Sequence, residues 1–258
     1  MLPVMKFKGK TVLITGGTSG IGLAAARQFA AEGAHVVITG RSPQKGQAAL
    51  HSLAVNSSSS VEYITCDVKS AQQCSQLVEQ IASNHTSIDV LVNNAGIMLN
   101  KSILNTNEEE WDEVLDTSLK GSFFMSKAVI PFMQKRGGGS IINVSSIFGL
   151  VGGTETAAYC SAKGGVVLLT KAMAIELAPF NIRVNCVCPG SVDTPLLRDE
   201  IDTFGDQAVV RRQFAARHPL NRISIPEEQA EVIVFLASEA SSFITGAAIP
   251  VDGGRSAW

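Results

Sequence analysis

The chain has little of what would build a disulfide scaffold, a membrane span or a polyanion-binding face. Its five cysteines are odd in number and scattered, so no disulfide framework is expected. Cys186 and Cys188 alternate along an apolar run and share one face. They lack the two-residue spacer of a redox or zinc pair, so they read as buried small hydrophobes and no metal site is expected. No apolar run reaches the roughly 18 residues of a transmembrane helix, and Met1-Leu2-Pro3-Val4-Met5-Lys6 lacks the apolar stretch of a secretory signal. A reducing, cytoplasmic setting is the expectation. The net charge of −2 offers nothing to nucleic acid or an anionic membrane. Lys135-Arg136 and Arg211-Arg212 are the basic clusters, and a solvated face accounts for both. No internal repeat and no Gly-x-Ser-x-Gly elbow occurs, which removes the local signature of an α/β-type hydrolase.

What is present is an ordinary globular balance, 45% hydrophobic and 17% charged, on 258 residues without a linker. Short β-branched runs alternate with longer helical patterns. Strands are expected over Thr11–Thr15, His35–Thr39, Val61–Cys66, Val90–Asn93, Ser140–Val144, Arg183–Val187 and Ala248–Val251. Continuously apolar runs such as Val12-Leu13-Ile14 and Val36-Val37-Ile38 indicate strands covered on both faces, hence a parallel sheet. Helices are expected over Ile21–Glu32, from Ser42-Pro43, after Ser70, from Asn107 to about Lys135, and over Ala157–Ala178. The fold class is therefore α/β, a single doubly wound (Rossmann-type) domain over 1–258 with a seven-stranded, mainly parallel sheet. Ser57–Ser60 and Gly137–Gly139 read as loops. Residues 195–226 break the alternation and are expected as a helical, irregular insertion covering a substrate crevice.

Thr15-Gly16-Gly17-Thr18-Ser19-Gly20-Ile21-Gly22 joins the first strand directly to the first helix. Glycines there let backbone amides approach a pyrophosphate, and a helix amino terminus favours its charge. In that strand–turn–helix context the loop reads as a dinucleotide site rather than a plain tight turn. At the end of the second strand stands Gly40-Arg41. An acidic residue would bond the ribose 2′-hydroxyl of NAD, whereas Arg41 can pair with a 2′-phosphate. NADP is thus the favoured cofactor, with NAD the alternative if Arg41 is only a solvated loop residue.

With four further blocks, Asn93-Asn94-Ala95-Gly96, Ser146, Tyr159-Cys160-Ser161-Ala162-Lys163 and Pro189-Gly190-Ser191-Val192-Asp193-Thr194, the chain resembles the short-chain dehydrogenase/reductase family. Within that family it is similar to the 3-oxoacyl-(acyl-carrier-protein) reductase and secondary alcohol dehydrogenase type. The resemblance extends to Thr245-Gly246 and Val251-Asp252-Gly253-Gly254. It implies that Gly16, Thr18, Ser19, Gly20, Ile21 and Gly22 line the pyrophosphate and that Asp67 and Val68 contact adenine. It further implies that Asn93, Asn94, Ala95 and Gly96 border the ribose, and that Pro189, Gly190, Val192 and Thr194 hold the carboxamide. Tyr159, Lys163 and Ser146 would be catalytic, with Tyr159 and Lys163 also contacting cofactor. A homotetramer formed through the long fourth and fifth helices is also implied.

The chemistry is consistent with this. Carbonyl reduction needs a proton donor at the oxygen that hydride transfer makes anionic. Lys163 lies one turn beyond Tyr159, and its charge is expected to bring the phenol toward the working range. Ser146 can hydrogen-bond the substrate oxygen, although adjacent Ser145 leaves the register open. The family places an asparagine where this chain has Ser118, whose hydroxyl can bond its own helix instead. The expected activity interconverts a secondary alcohol and a ketone. The competing possibility is a catalytically weak dinucleotide sensor or partner-binding protein on the same scaffold. Phe148, Leu150, Val151, Leu196, Leu197 and Phe204 suggest an apolar or cyclic substrate, with Glu155 as a solvated loop residue.

Overall fold

The structure is a computed structural model that describes residues 5–54, 60–85, 87–202 and 205–257. The expected loop at Ser57–Ser60 lies mostly outside the described residues, and Phe204, expected beside the substrate, lies outside them. Among the described residues, seven strands form one sheet in the order β3-β2-β1-β4-β5-β6-β7. They are β1 (Thr11–Thr15), β2 (His35–Gly40), β3 (Val61–Thr65), β4 (Val90–Asn93), β5 (Gly139–Val144), β6 (Ile182–Pro189) and β7 (Ala248–Val251). Every pairing is parallel, as continuous apolar runs require when both faces are covered. β1 shows this residue by residue. Val12 and Ile14 enter the core on one face, with Phe29 and Ala230, while Leu13 enters the other with Met125 and Ile141. The strand order reverses between β1 and β4, so the carboxyl ends of those two strands open a crevice.

The helices cover both faces: α1 (Gly20–Ala31), α2 (Pro43–Ala54), α3 (Ala71–Asn84), α4 (Glu108–Leu115), α5 (Gly121–Arg136), α6 (Ala157–Leu177), α7 (Pro195–Asp202), α8 (Gln207–Ala216) and α9 (Pro226–Ala237). Caps agree with the sequence signals. Ser70 accepts a hydrogen bond from Gln73 N at 3.3 Å, and Asn107 forms a reciprocal capping box with Glu110. The single helix expected from Asn107 to Lys135 is instead three pieces, because Asp116–Lys120 winds as a π-helix between α4 and α5. Gly121 packs under Val68 there, where a Cβ would lie 2.7 Å from Val68 Cγ2. α9 was not anticipated, although Pro226 at its first turn and Glu228, which accepts from Ile225 N at 2.9 Å, are ordinary start signals. Among the described residues no helix is long and apolar enough to cross a membrane.

Candidate active site

The crevice between β1 and β4 is a cavity of about 1090 Å³, and its first wall is backbone. Gly16 and Gly20 sit at φ +63° and +54°, conformations that side chains resist. Gly22 is required for another reason. A Cβ there would come within 2.5 Å of both Asn94 Nδ2 and Gly16 O. Asn94 in turn donates to Thr15 O and Gly16 O, each at 3.0 Å, so it fastens the β4 turn to the glycine loop. Ser19 precedes α1 without any side-chain cap, leaving the first-turn amides for an anion. That uncapped terminus beside a glycine cradle fits a dinucleotide pyrophosphate.

Most of the anticipated cofactor residues line this cavity: Gly16, Thr18, Ser19, Gly20, Ile21, Arg41, Asp67, Val68, Asn94, Ala95, Gly96, Pro189, Gly190, Val192 and Thr194. Thr194 packs over the loop, since a Cβ on Gly20 would meet its Cγ2 at 3.0 Å. Two residues stand behind the wall. Gly22 provides the close approach just described. Asn93, 2% exposed, donates to Asn143 Oδ1 and Ser126 Oγ, each at 2.9 Å, so it ties β4 to β5 and α5 rather than facing a ribose. At the end of β2, Arg41 pairs with Glu113 at 3.5 Å, and Ser42 and Lys45 join it on the rim.

Ser146, Tyr159 and Lys163 converge on the opposite wall. Ser145 Oγ donates to Lys163 O at 2.8 Å, whereas the Ser146 side chain is the one that lowers the Tyr159 value. Burial pushes the Tyr159 hydroxyl up to about 12, and the Ser146 hydrogen bond offsets only part of this. Lys163 does not act as expected here. Its Nζ donates to Val144 O at 2.9 Å and stands 5.7 Å from the centre of the Tyr159 ring. Burial brings its own value down to about 8, with Cys186 and Cys188 pulling weakly the other way. Near neutral pH the pair is therefore a neutral phenol beside an ammonium, a proton donor with a cation behind it.

Ser118 lies within the π-helix, and its Oγ is buried with no hydrogen-bond partner among the described residues. It does not bond its own helix. A Cβ on Gly96 would lie 3.2 Å from Lys163 Nζ and 3.3 Å from Ser118 Oγ, so the hydroxyl and the ammonium approach the same glycine. Thr117 Oγ1 is likewise buried and unpartnered among the described residues, on a residue of the cavity wall that carries no signal in its local sequence.

The remaining wall is more polar than anticipated. Phe148, Leu196 and Leu197 line it, but Leu150 and Val151 are about 40% exposed and turned away. Asn100, Glu200, Arg217 and Arg255 line it as well, with the Arg255 guanidinium 5.2 Å from the Phe148 ring centre. Glu155, at φ +58°, also reaches the cavity. Sequence reasoning missed His218 too. Its Nε2 accepts from Ser191 N at 3.3 Å while Nδ1 faces Asp252 O, a neutral tautomer that burial favours by lowering the pKa. A Cβ on Gly190 would strike its ring at 2.6 Å. His218 thus fixes the Pro189–Ser191 turn to the carboxyl-terminal segment.

The chain matches a family model described as enoyl-(acyl carrier protein) reductase over residues 16–256. It is 41% identical to the 3-oxoacyl-(acyl-carrier-protein) reductase FabG of Thermotoga maritima, over 97% of this chain and 99% of that one. It is 38% identical to a cyclopentanol dehydrogenase of Comamonas sp., over 96% and 97%. Among solved structures, that of levodione reductase superposes with a TM-score of 0.95 at 30% identity, covering 97% of this chain and 99% of the other.

Proposed function

The chain belongs to the short-chain dehydrogenase/reductase family, and from that premise we propose that it reduces ketones with NADPH, Tyr159 serving as proton donor. It is an NAD(P)-dependent oxidoreductase that interconverts secondary alcohols and ketones. The observation that carries the assignment of roles is the meeting of Ser146, Tyr159 and Lys163 in the same cavity as the glycine cradle.

When bound, the nicotinamide supplies or accepts the hydride. Ser146 donates a hydrogen bond to the carbonyl oxygen and steadies the charge developing on it. Tyr159, neutral because it is buried, delivers the proton to that oxygen. Once freed from Val144 O, the Lys163 ammonium would stabilise the phenolate left behind and reach toward the ribose hydroxyls. Reprotonation then passes through Lys163, with Ser118 Oγ and a water completing the path. Gly22 and Asn94 position the loop, and Asn93 holds β4 to β5 behind it; Thr18, Ser19 and Ile21 would offer it to the pyrophosphate.

The preference for NADP over NAD rests on the end of β2. Gly40 offers no carboxylate to a 2′-hydroxyl, while Arg41, Ser42 and Lys45 are placed for a phosphate, which would take over Arg41 from Glu113. The substrate is a ketone or secondary alcohol with an apolar, cyclic body against Phe148, Leu196 and Leu197, its polar substituents meeting Arg255 and Arg217. The 258 residues act as one unit, with 195–226 closing the substrate side: Glu200, Phe214 and Arg217 reach the cavity from there.

A homotetramer through the long helices is supported by exposed apolar side chains on α5 and α6. Ala162 and Gly165 pack inside the subunit, Gly165 against Leu119. On these two helices the exposed large apolar side chains among the described residues are Leu168 and Ile175 on one face of α6, 66% and 79% exposed, and Phe123 of α5 at 45%. The five free cysteines suit a reducing cytoplasm.

The test is a panel of cyclic, aliphatic and thioester-linked ketones assayed with NADPH and NADH side by side. Faster reduction with NADPH is expected. A clear NADH preference would contradict the role given to Arg41. Tight nucleotide binding without turnover of any member would favour a sensor.

A further inference from the structure

We propose that His35, Glu62 and His85 form a binding site for a divalent transition-metal ion of the zinc type, at the amino-terminal edge of the sheet. His35 opens β2, Glu62 is the second residue of β3, and His85 follows the last turn of α3. None of the three lines the catalytic cavity, which lies at the carboxyl ends of the strands.

The donor atoms are already spaced as such an ion requires. Glu62 Oε1 is 3.2 Å from His35 Nε2 and 3.1 Å from His85 Nε2, and one donor atom from each residue lies within 4.8 Å of the others. A tetrahedral ion with bonds of about 2.0–2.1 Å separates its ligands by about 3.3 Å. Both Nε2 atoms meet the same Glu62 oxygen, and the imidazoles stack with centres 3.7 Å apart and planes inclined by 31°. Two neutral imidazoles and one carboxylate carry a single negative charge toward a dication. This donor set suits zinc and its neighbours rather than magnesium or calcium, which prefer all-oxygen sites. Three protein ligands leave the fourth position to water.

Without metal, each Nε2–H donates to Glu62 Oε1. With metal, each ring carries its proton on Nδ1 and Nε2 offers its lone pair, so two hydrogen bonds are exchanged for coordinate bonds. The ion would join two neighbouring strands, one of them the outer strand β3, to the end of α3. Its effect is on stability, not on hydride transfer.

The test uses the full chain, stripped with a chelator and then titrated with zinc alone, read by calorimetry and by thermal melting. Binding of one ion per chain is expected, with a higher melting temperature and unchanged reductase activity. His85→Asn and Glu62→Gln should each weaken zinc binding by more than about 10-fold, the lower end for merely disturbing an outer-shell partner. Both variants should still melt cooperatively in chelator. Zinc bound equally by wild type and the two variants would overturn the proposal by assigning the metal elsewhere, to cysteines for example. So would a titration in which the wild type binds none.

Discussion

The two walls of the catalytic cavity are built from different material. The nucleotide wall is backbone: glycines at positive φ, an uncapped helix terminus, and an asparagine tying two turns together. The substrate wall is side chain: Phe148, Leu196, Glu200, Arg217 and Arg255, brought in from segments distant in sequence. A backbone wall recognises what every dinucleotide shares and tolerates almost no change. A side-chain wall can be rebuilt residue by residue without disturbing the fold.

The largest effect expected from that contrast is at Gly22. Gly22→Ala places a methyl within 2.5 Å of Asn94 Nδ2 and Gly16 O, and neither the tethered amide nor the backbone can yield. Overpacking of this kind costs about 1–3 kcal/mol of stability. Displacing the cradle by about 1 Å should lower the rate of reduction by about 100-fold and weaken NADPH binding, measurable by kinetics and by fluorescence titration.

A crossed pair of substitutions separates the walls. Arg41→Ala should raise the KM for NADPH by about 10-fold, the lower end for a lost charged hydrogen bond at an exposed position, and leave NADH and the ketone unaffected. Arg255→Ala should raise the ketone KM by roughly 3- to 10-fold through loss of the guanidinium over Phe148, with both nucleotides unchanged. Steady-state kinetics with each substrate varied in turn would show whether the effects cross.

The pH profile is the next sharpening. Lys163 has its value lowered to about 8, so it is an ammonium below that pH and loses its charge above it. Tyr159, raised to about 12, remains protonated across the same range. For reduction, kcat/KM should therefore be flat near neutrality and fall with one limb near pH 8, while oxidation, which needs the phenolate, should rise with pH. A falling limb near the ordinary lysine value would contradict the burial assigned to Lys163.

The smallest effect is expected at Ser118. Ser118→Asn should change turnover by less than about 3-fold and shift the pH profile slightly, because the Ser118 hydroxyl already reaches the Gly96 side of Lys163. A parent that is inactive until asparagine is restored would contradict the relay as drawn.

How far the sequence disclosed these features depends on how local their causes are. The sheet was legible because continuous apolar runs such as Val36-Val37-Ile38 need cover on both faces. The glycine loop was legible because its cause, close backbone approach, is written in residue type. The π-helix at Asp116–Lys120 was not, since these are ordinary helix residues with no local sign of the change in winding. Asn93 and Asn94 are adjacent and alike in sequence, yet one is internal to β4 and β5 and the other clamps the loop; only the sheet geometry distinguishes them. His218 and the substrate-side arginines carry no local signal, because their partners are set by where residues 195–226 and the carboxyl-terminal segment settle. Likewise, His35, Glu62 and His85 are separated by 27 and 23 residues, spacings that no metal motif contains.

Tyr159→Phe tests the central claim most directly. The substitution removes one hydroxyl and leaves a ring of the same shape, so NADPH affinity and melting temperature should stay within error of the parent. With nucleotide and ketone saturating, the rate of reduction should fall by about 100- to 10,000-fold, the range for loss of a positioned proton donor. A variant that binds NADPH normally and still reduces ketone at near the parental rate would contradict the role assigned to Tyr159.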